Sequence, residues 1–288
     1  MIDLHIHSSY SDGVLDIKEL SKKILNAGIS YCSLTDHDNI DGVDKMAGIL
    51  QKNKVYFING VELSALYKNQ EIHLLIYNFN LPAVKKIIQE RNRLVGGKKI
   101  KELETTIKLF KKQGFIMDNT LIPESKKPIG FTVAWSIYHK KENQKLLIKK
   151  HGHLLNMKEF FDYYQAAGRP CYTQRSGVNL DWILDKFHNI SRDIILAHPF
   201  SPVSFVVKPL EDKDIYDLIK KGITGIEIYH NNTPPKKIRL LERIVKKNNF
   251  FYTGGSDSHS KSDDTSLGYY NHDSKIPSFR LSNLSYKI

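Results

Sequence analysis

Cysteine is scarce in this sequence. Cys32 and Cys171 are the only two, they lie far apart, and neither belongs to a paired-cysteine motif. A disulfide framework is thereby excluded, and a reducing compartment is indicated. Long apolar runs are also missing, so no segment reads as a membrane span. The stretch Met1-Ile2-Asp3-Leu4-His5-Ile6-His7 enters an alternating strand pattern without basic or apolar targeting regions. The expectation is a cytoplasmic protein with no membrane contact and no obligate protein partner. Acidic residues are the scarcer charge, 31 Asp+Glu against 43 Lys+Arg, for a formal net charge of +12. That surplus suits a polyanionic partner such as nucleic acid, although a lysine bias in a chain also rich in Asn and Ile explains much of it. With 288 residues the chain can build one large α/β barrel, or a catalytic domain with an inserted subdomain, without staples.

Short apolar strands alternate with amphipathic helices in the first part, the pattern of parallel βα units. Residues 2–7 read as a strand. Asp16 can cap a helix striped by Ile17, Leu20, Ile24 and Leu25, and Gly28 ends it. A strand follows at Tyr31–Leu34, then a polar turn through Asp36, His37, Asp38 and Asn39, a helix near 41–51, and strands around Val55–Val61 and Ile72–Tyr77. From about residue 82 the chain turns to long Lys-rich helices, one carrying Ile100, Leu103, Ile107 and Phe110 on a face with Gly114 as its stop. Strand character returns near Cys171–Thr173. Alternation resumes with strands at Ile194–Ala197, Ile223–Tyr229 and Phe251–Thr253, separated by helices near 211–221 and 235–248. The expected division is a catalytic barrel of residues 1–85 and 170–288 with a mainly helical insert, residues 86–169, over its mouth.

The metal-capable side chains fall at strand exits. His5 and His7, at i and i+2, share one face of their strand and can grip one ion, with Asp12 in the next loop. Asp36 and His37, then Glu62, His73, His198, and Asp257 with His259 follow at later exits, where a barrel places its active site. A lone buried histidine is more often a hydrogen-bonded core residue than a ligand, and His5-x-His7 alone is weak. Six histidines and three carboxylates arriving from six strand ends are another matter. Without metal they would leave a dense titratable cluster unexplained. A second His-x-His, His151 and His153, lies in the Lys-rich helical stretch without a carboxylate set and reads as solvated surface.

In order along the chain stand His5-Ile6-His7 with Ser11-Asp12-Gly13, Thr35-Asp36-His37-Asp38, Gly60-Val61-Glu62, His73, Ala197-His198-Pro199, Gly225-Ile226-Glu227-Ile228-Tyr229 and Gly254-Gly255-Ser256-Asp257-Ser258-His259. With these segments the sequence resembles the PHP (polymerase and histidinol phosphatase) phosphoesterases, and within them the TrpH-like branch. The resemblance implies a distorted (β/α)7 TIM-like barrel with three divalent ions in its mouth. By position, His5, His7, Glu62 and Asp257 would hold one ion; Asp12, His37 and His259 a second; Glu62, His73 and His198 a third. Arg175 matches a basic position of that branch and could fork a second phosphate. Residues Ile129-Gly130-Phe131-Thr132 depart from the branch, where Gly-Arg-Pro-His is common.

Three divalent ions and three carboxylates leave a site near +3, which favours an anion. A hydroxide generated by the ions near neutral pH would attack phosphorus. Glu62 is the expected bridging carboxylate. His230 is a candidate to protonate the leaving oxygen or, with Tyr229, to bind substrate, and Asp36 is expected to orient His37 or its loop. Ligands without thiolate suit Mn²⁺ first, with Fe²⁺ or Zn²⁺ as alternatives. The expected activity is hydrolysis of 3′,5′-bisphosphorylated nucleotides or of the 5′ ends of short RNA. A phosphatase of the histidinol-phosphate type and a non-hydrolytic nucleic-acid-binding protein with structural metals are the competing readings. Amide hydrolysis fits a positive site less well.

Overall fold

The structure is a computed structural model and describes residues 1–118, 120–123, 129–201, 210–231, 233–259, 267–271 and 273–287. Its first βα units form for the reasons the sequence suggests. Strand β1 (Ile2–Asp3) leads to helix α1 (Ile17–Asn26), where the Asp16 carboxylate accepts the Glu19 N–H at 2.8 Å and Glu19 accepts the Asp16 N–H at 3.3 Å. This capping box satisfies two of the donors a helix start leaves open, and Ile17, Leu20 and Ile24 bury the helix's inner stripe. Strand β2 (Tyr31–Leu34) pairs in parallel with β1, and after helix α2 (Val43–Lys52) strand β3 (Tyr56–Tyr67) pairs in parallel with β2.

Strand β4 (Gln70–Tyr77) departs from that rhythm. It returns antiparallel along β3 through a two-residue turn, Lys68 (φ 48°) and Asn69 (φ 64°), the left-handed pair that a tight hairpin requires. Helices α3 (Leu81–Lys112), α4 (Ile129–Tyr138), α5 (Lys141–His151) and α6 (Met157–Tyr164) intervene before the short β5 (Val178–Asn179), which pairs with the far end of β3, and helix α7 (Leu180–Phe187). Strand β6 (Asp193–Leu196) is antiparallel to β4. After α8 (Asp212–Lys221), β7 (Gly225–His230), α9 (Pro235–Asn248) and β8 (Phe251–Gly255), the parallel pairs β6–β7 and β7–β8 complete the sheet. Backbone bonds then close β8 onto β1: Leu4 N–H to Gly254 O at 3.1 Å, Asp257 N–H to His5 O at 2.9 Å, and His7 N–H to Ser258 O at 3.1 Å.

Seven strands (β1, β2, β3, β4, β6, β7 and β8) thus form the expected distorted barrel among the described residues, with β4 alone reversed. The reversal changes which part of β4 reaches the mouth. His73 lies near the start of its strand, opposite Ser64, two residues past Glu62. The expected strand near Cys171–Thr173 is absent; those residues are turn and irregular chain, with buried Cys171 packed among the helices rather than in the sheet. Short strands β9 (Tyr269–Tyr270), β10 (Ser274–Lys275), β11 (Ser278–Arg280) and β12 (Ser285–Lys287) follow, with β11 antiparallel to β8.

Two apolar cores result among the described residues. The main one joins the barrel to its surrounding helices, and the second gathers Leu103, Phe110, Phe115, Val133, Ile137, Leu147 and Phe160. Helix α3 serves both, burying Val84, Ile88 and Val95 in the first and Leu103 and Phe110 in the second. Among the described residues no helix is long and apolar enough to cross a membrane.

Candidate metal centre

The strand expected over residues 2–7 stops at Asp3, but the extended chain beyond it keeps alternating: His5 and His7 turn to the barrel axis, both buried, while Leu4 and Ile6 join the apolar core on the other face. Their Nε2 atoms stand 3.1 Å apart. Glu62, wholly buried on β3, lies between them and the opposite wall. Its Oε2 is 3.2 Å from His5 Nε2, 3.1 Å from His7 Nε2 and 3.2 Å from His37 Nδ1. Its Oε1 is 2.9 Å from His73 Nδ1 and 3.0 Å from His198 Nε2. Asp257 Oδ1 faces His5 Nε2 at 3.3 Å and His7 Nε2 at 3.1 Å. Asp12 lies 3.2 Å from His259 Nε2 and 3.7 Å from His37 Nε2. The nine side chains singled out in the sequence therefore meet in one pocket.

Their ligand atoms cluster as His5, His7, Glu62 and Asp257; as His7, Asp12, His37 and His259; and as His37, Glu62 and His73. The first set has the membership the resemblance implies. The second gains His7, and in the third His37 takes the position expected of His198, which still reaches Glu62 through Oε1.

Four atoms of this pocket, His37 Nδ1, Glu62 Oε2, His73 Nδ1 and Asp257 Oδ1, are buried with no hydrogen-bond partner. Their neighbours are close, but lone pairs and N–H groups do not align. An unsatisfied buried polar atom costs about 1–3 kcal/mol, so four that converge call for a shared guest. Imidazole nitrogens and carboxylate oxygens without thiolate fit divalent cations, and the donor set passes that test.

Without ions, protons supply the counter-charge. Burial opposes a charge on His7, yet Asp257 and Glu62 raise its pKa to about 10. Burial likewise opposes His73, and Glu62 and Glu71 bring it to about 10. For His37 burial wins and lowers the pKa to about 3. Glu62 and Asp257 resist burial because the surrounding histidines hold both well below the usual carboxylate range.

A further carboxylate, missed in the sequence, backs the pocket. Glu227, wholly buried on β7, stands 3.0 Å from His5 Nδ1 through Oε1 and accepts the His198 backbone N–H at 2.8 Å through Oε2. A proton on His5 Nδ1 would leave Nε2 facing the pocket, the usual way an outer carboxylate orients a metal-binding imidazole. Glu227 also groups with His5 and His230. The available signal was a glutamate between two isoleucines on a buried strand, where a charge needs a partner.

Other expected residues fall into different places. Asp36 accepts from Ser8 N–H at 2.8 Å, Ser8 Oγ at 2.7 Å and Ser11 Oγ at 2.5 Å, so it fixes the loop that carries Asp12 and does not orient the His37 ring. His230 sits beside the pocket, 3.2 Å from Asp257 and 3.3 Å from Ser201 Oγ. The Tyr229 hydroxyl is turned toward α9 rather than toward the nine side chains. A bulge between Glu227 and Tyr229 shifts the alternation, and the Tyr229 hydroxyl donates to Glu242 on α9 at 3.1 Å. Arg175 is also otherwise engaged: it pairs with Glu71, whose other oxygen lies 3.4 Å from His73 Nε2. Burial would raise the Glu71 pKa, but Arg175 and His73 hold it well below the usual range. Buried Arg91 of α3 reaches Asp38 at 2.8 Å and the Ser64 carbonyl at 3.0 Å, tying that helix to the strand ends that carry His37 and Glu62.

His198 (φ 26°), Asp257 (φ 54°) and Asp38 (φ 50°) adopt left-handed backbone that costs a non-glycine residue about 1–3 kcal/mol. Such strain gathers where geometry serves a site. Residues 3–118 match the family of PHP domains. The chain carries a PHP domain. The PHP-domain chain is 24% identical over 259 residues to a 5′-3′ exoribonuclease of Haemophilus influenzae, covering 89% of each. It is 22% identical to a 3′,5′-nucleoside bisphosphate phosphatase of Chromobacterium violaceum, covering 90% of this chain and 87% of that one. Its fold is shared with the crystal structure of a putative metal-dependent phosphoesterase from Bifidobacterium adolescentis, with a TM-score of 0.66 at 17% identity over 96% of this chain and 92% of the other.

Proposed function

We propose that this PHP-domain chain is a metal-dependent phosphoesterase that hydrolyses phosphate esters of nucleotides, 3′,5′-bisphosphorylated ones among them, or trims the 5′ ends of short RNA. The observation that carries the reading is Glu62: five imidazoles surround one buried carboxylate, and its Oε2 has no hydrogen-bond partner. His5, His7, Glu62 and Asp257 would hold one ion, Asp12, His37 and His259 with His7 a second, and Glu62, His73 and His198 a third. Mn²⁺ is the leading choice, Fe²⁺ or Zn²⁺ the alternatives. When bound, such ions lower the pKa of water to about 7 and neutralise phosphate oxygens. Counting Glu227, four carboxylates against three divalent ions leave the pocket near +2, still suited to a phosphate dianion.

The chain's own groups supply position and protons. His230, held by Ser201 and Asp257, can carry a proton to the leaving oxygen. Asp36 fixes the Asp12 loop, and Arg175 acts through Glu71 on the orientation of His73. Residues 1–85 and 170–288 form the catalytic unit of this reading, with residues 86–169 selecting substrate above it. The relatives' names support nucleotide and RNA substrates.

A phosphate-release and product-length assay with Mn²⁺ tests the reading, comparing 3′,5′-bisphosphorylated adenosine, AMP, histidinol phosphate and 5′-phosphorylated RNA. Metal-dependent release from the first or the last is expected, and Glu62→Gln should remove it. Release from histidinol phosphate alone would overturn the substrate class, and near-wild-type turnover by the Gln variant would overturn the site.

A further inference from the structure

Helix α4 presents an aromatic face that the metal centre does not use. Phe131, Trp135 and His139 recur at i, i+4 and i+8, the spacing that stacks side chains along one side of a helix. The Phe131 and Trp135 rings lie within 18° of parallel at 5.9 Å, and Trp135 and His139 lie 4.3 Å apart. On the other side of the helix Val133, Ala134 and Ile137 are buried in the second core, and Phe131 packs partly buried against its edge, so Trp135 is the ring turned outward. Trp135 is 51% exposed, an unusual surplus of apolar ring for a surface with no use for it. His139, one residue past the end of α4, is tilted 44° to Trp135, and its Nδ1 meets the Trp135 carbonyl at 2.8 Å.

The stretch of sequence that carries these rings is one-sided in charge. Residues 86–169 contain 18 Lys+Arg and eight Asp+Glu, a net +10 out of the chain's +12, and Lys140 and Lys141 directly follow His139. Adjacent aromatic rings in a cation-rich stretch of chain match a ligand that alternates flat bases with phosphates. An acidic protein partner would answer the charge and leave the rings unexplained; a duplex would hide its base faces.

We propose that Phe131, Trp135 and His139 form a base-stacking platform for single-stranded RNA, which favours strands over mononucleotides. The proposal rests on the phosphoesterase reading only in making that strand a substrate. Trp135 itself can report binding, because the chain has only one other tryptophan, Trp182. In the full-length W182F chain, a cleavage-resistant phosphorothioate octaribonucleotide should quench the remaining fluorescence, less so as salt rises, whereas its duplex and AMP at equal concentration should quench little. W135A should weaken octamer binding about 5- to 150-fold, the range of one base–aromatic stack, and W135F should recover most of it. Release from bisphosphorylated adenosine should be unchanged in W135A. Unaltered octamer binding in W135A, equal quenching by duplex or AMP, or a parallel loss on both substrates would overturn the platform. Trp135-dependent binding without hydrolysis of any phosphate ester would overturn the enzymatic reading and leave the platform standing.

Discussion

Glu62 and Glu227 approach the same histidines from opposite sides. Glu62 faces five imidazoles inside the pocket, whereas Glu227 holds His5 and the His198 backbone from behind. Glu227→Gln preserves shape and removes the charge that favours an Nδ1 proton on His5, so metal affinity should fall about 10- to 100-fold with the fold intact. A chelator competition titration against wild type measures this. Protons and ions should also exchange. Because the surrounding carboxylates raise His5 well above its usual range, and His7 and His73 to about 10, these imidazoles carry protons at neutral pH that loading should expel. Affinity should therefore tighten as pH rises from 6 to 8, and calorimetry in buffers of different ionisation enthalpy should count the released protons. The nine pocket residues were legible because polar side chains at strand exits are conspicuous. Glu227 was not, since a single glutamate within an apolar strand does not reveal which face it takes. Arg175 was readable as a cation, but its partner Glu71 lies 104 positions away.

Among the elements, the barrel depends on the close approach of β8 to the first strand. A Cβ on Gly255 would stand 2.1 Å from the His5 Cβ and 2.5 Å from its backbone nitrogen. Neither neighbour is a flexible side-chain end, so Gly255→Ala should cost about 1–3 kcal/mol and disturb the pocket with it. Urea denaturation of the purified variant, with metal content determined in parallel, checks both effects. Helix α9 matches its sequence-based limits because a period of 3.6 persists over fourteen residues. The reversal of β4 was hidden, since alternation reads alike in either direction and the Lys68-Asn69 turn lacks a glycine. Strands β9 to β12 span two or three residues each, too few for any period to show.

Across the whole molecule, charge and chemistry are separated. The stretch 86–169 holds +10 and the rest of the chain +2, while all nine pocket residues lie outside that stretch. Helix α3 joins the two regions as one continuous rod of 32 residues, about 48 Å at ~1.5 Å per residue. Arg91 pins one end beside the strand ends of the pocket, and Phe110 pins the other in the second core. Such a rod behaves like a keyed shaft. Adding a single residue at Gly96-Gly97, where neither glycine has a neighbour near its missing Cβ, would lengthen it by only ~1.5 Å but twist everything beyond by about 100°. Leu103 and Phe110 would then swing off their partners, so the length of this one helix is set by angle far more than by reach.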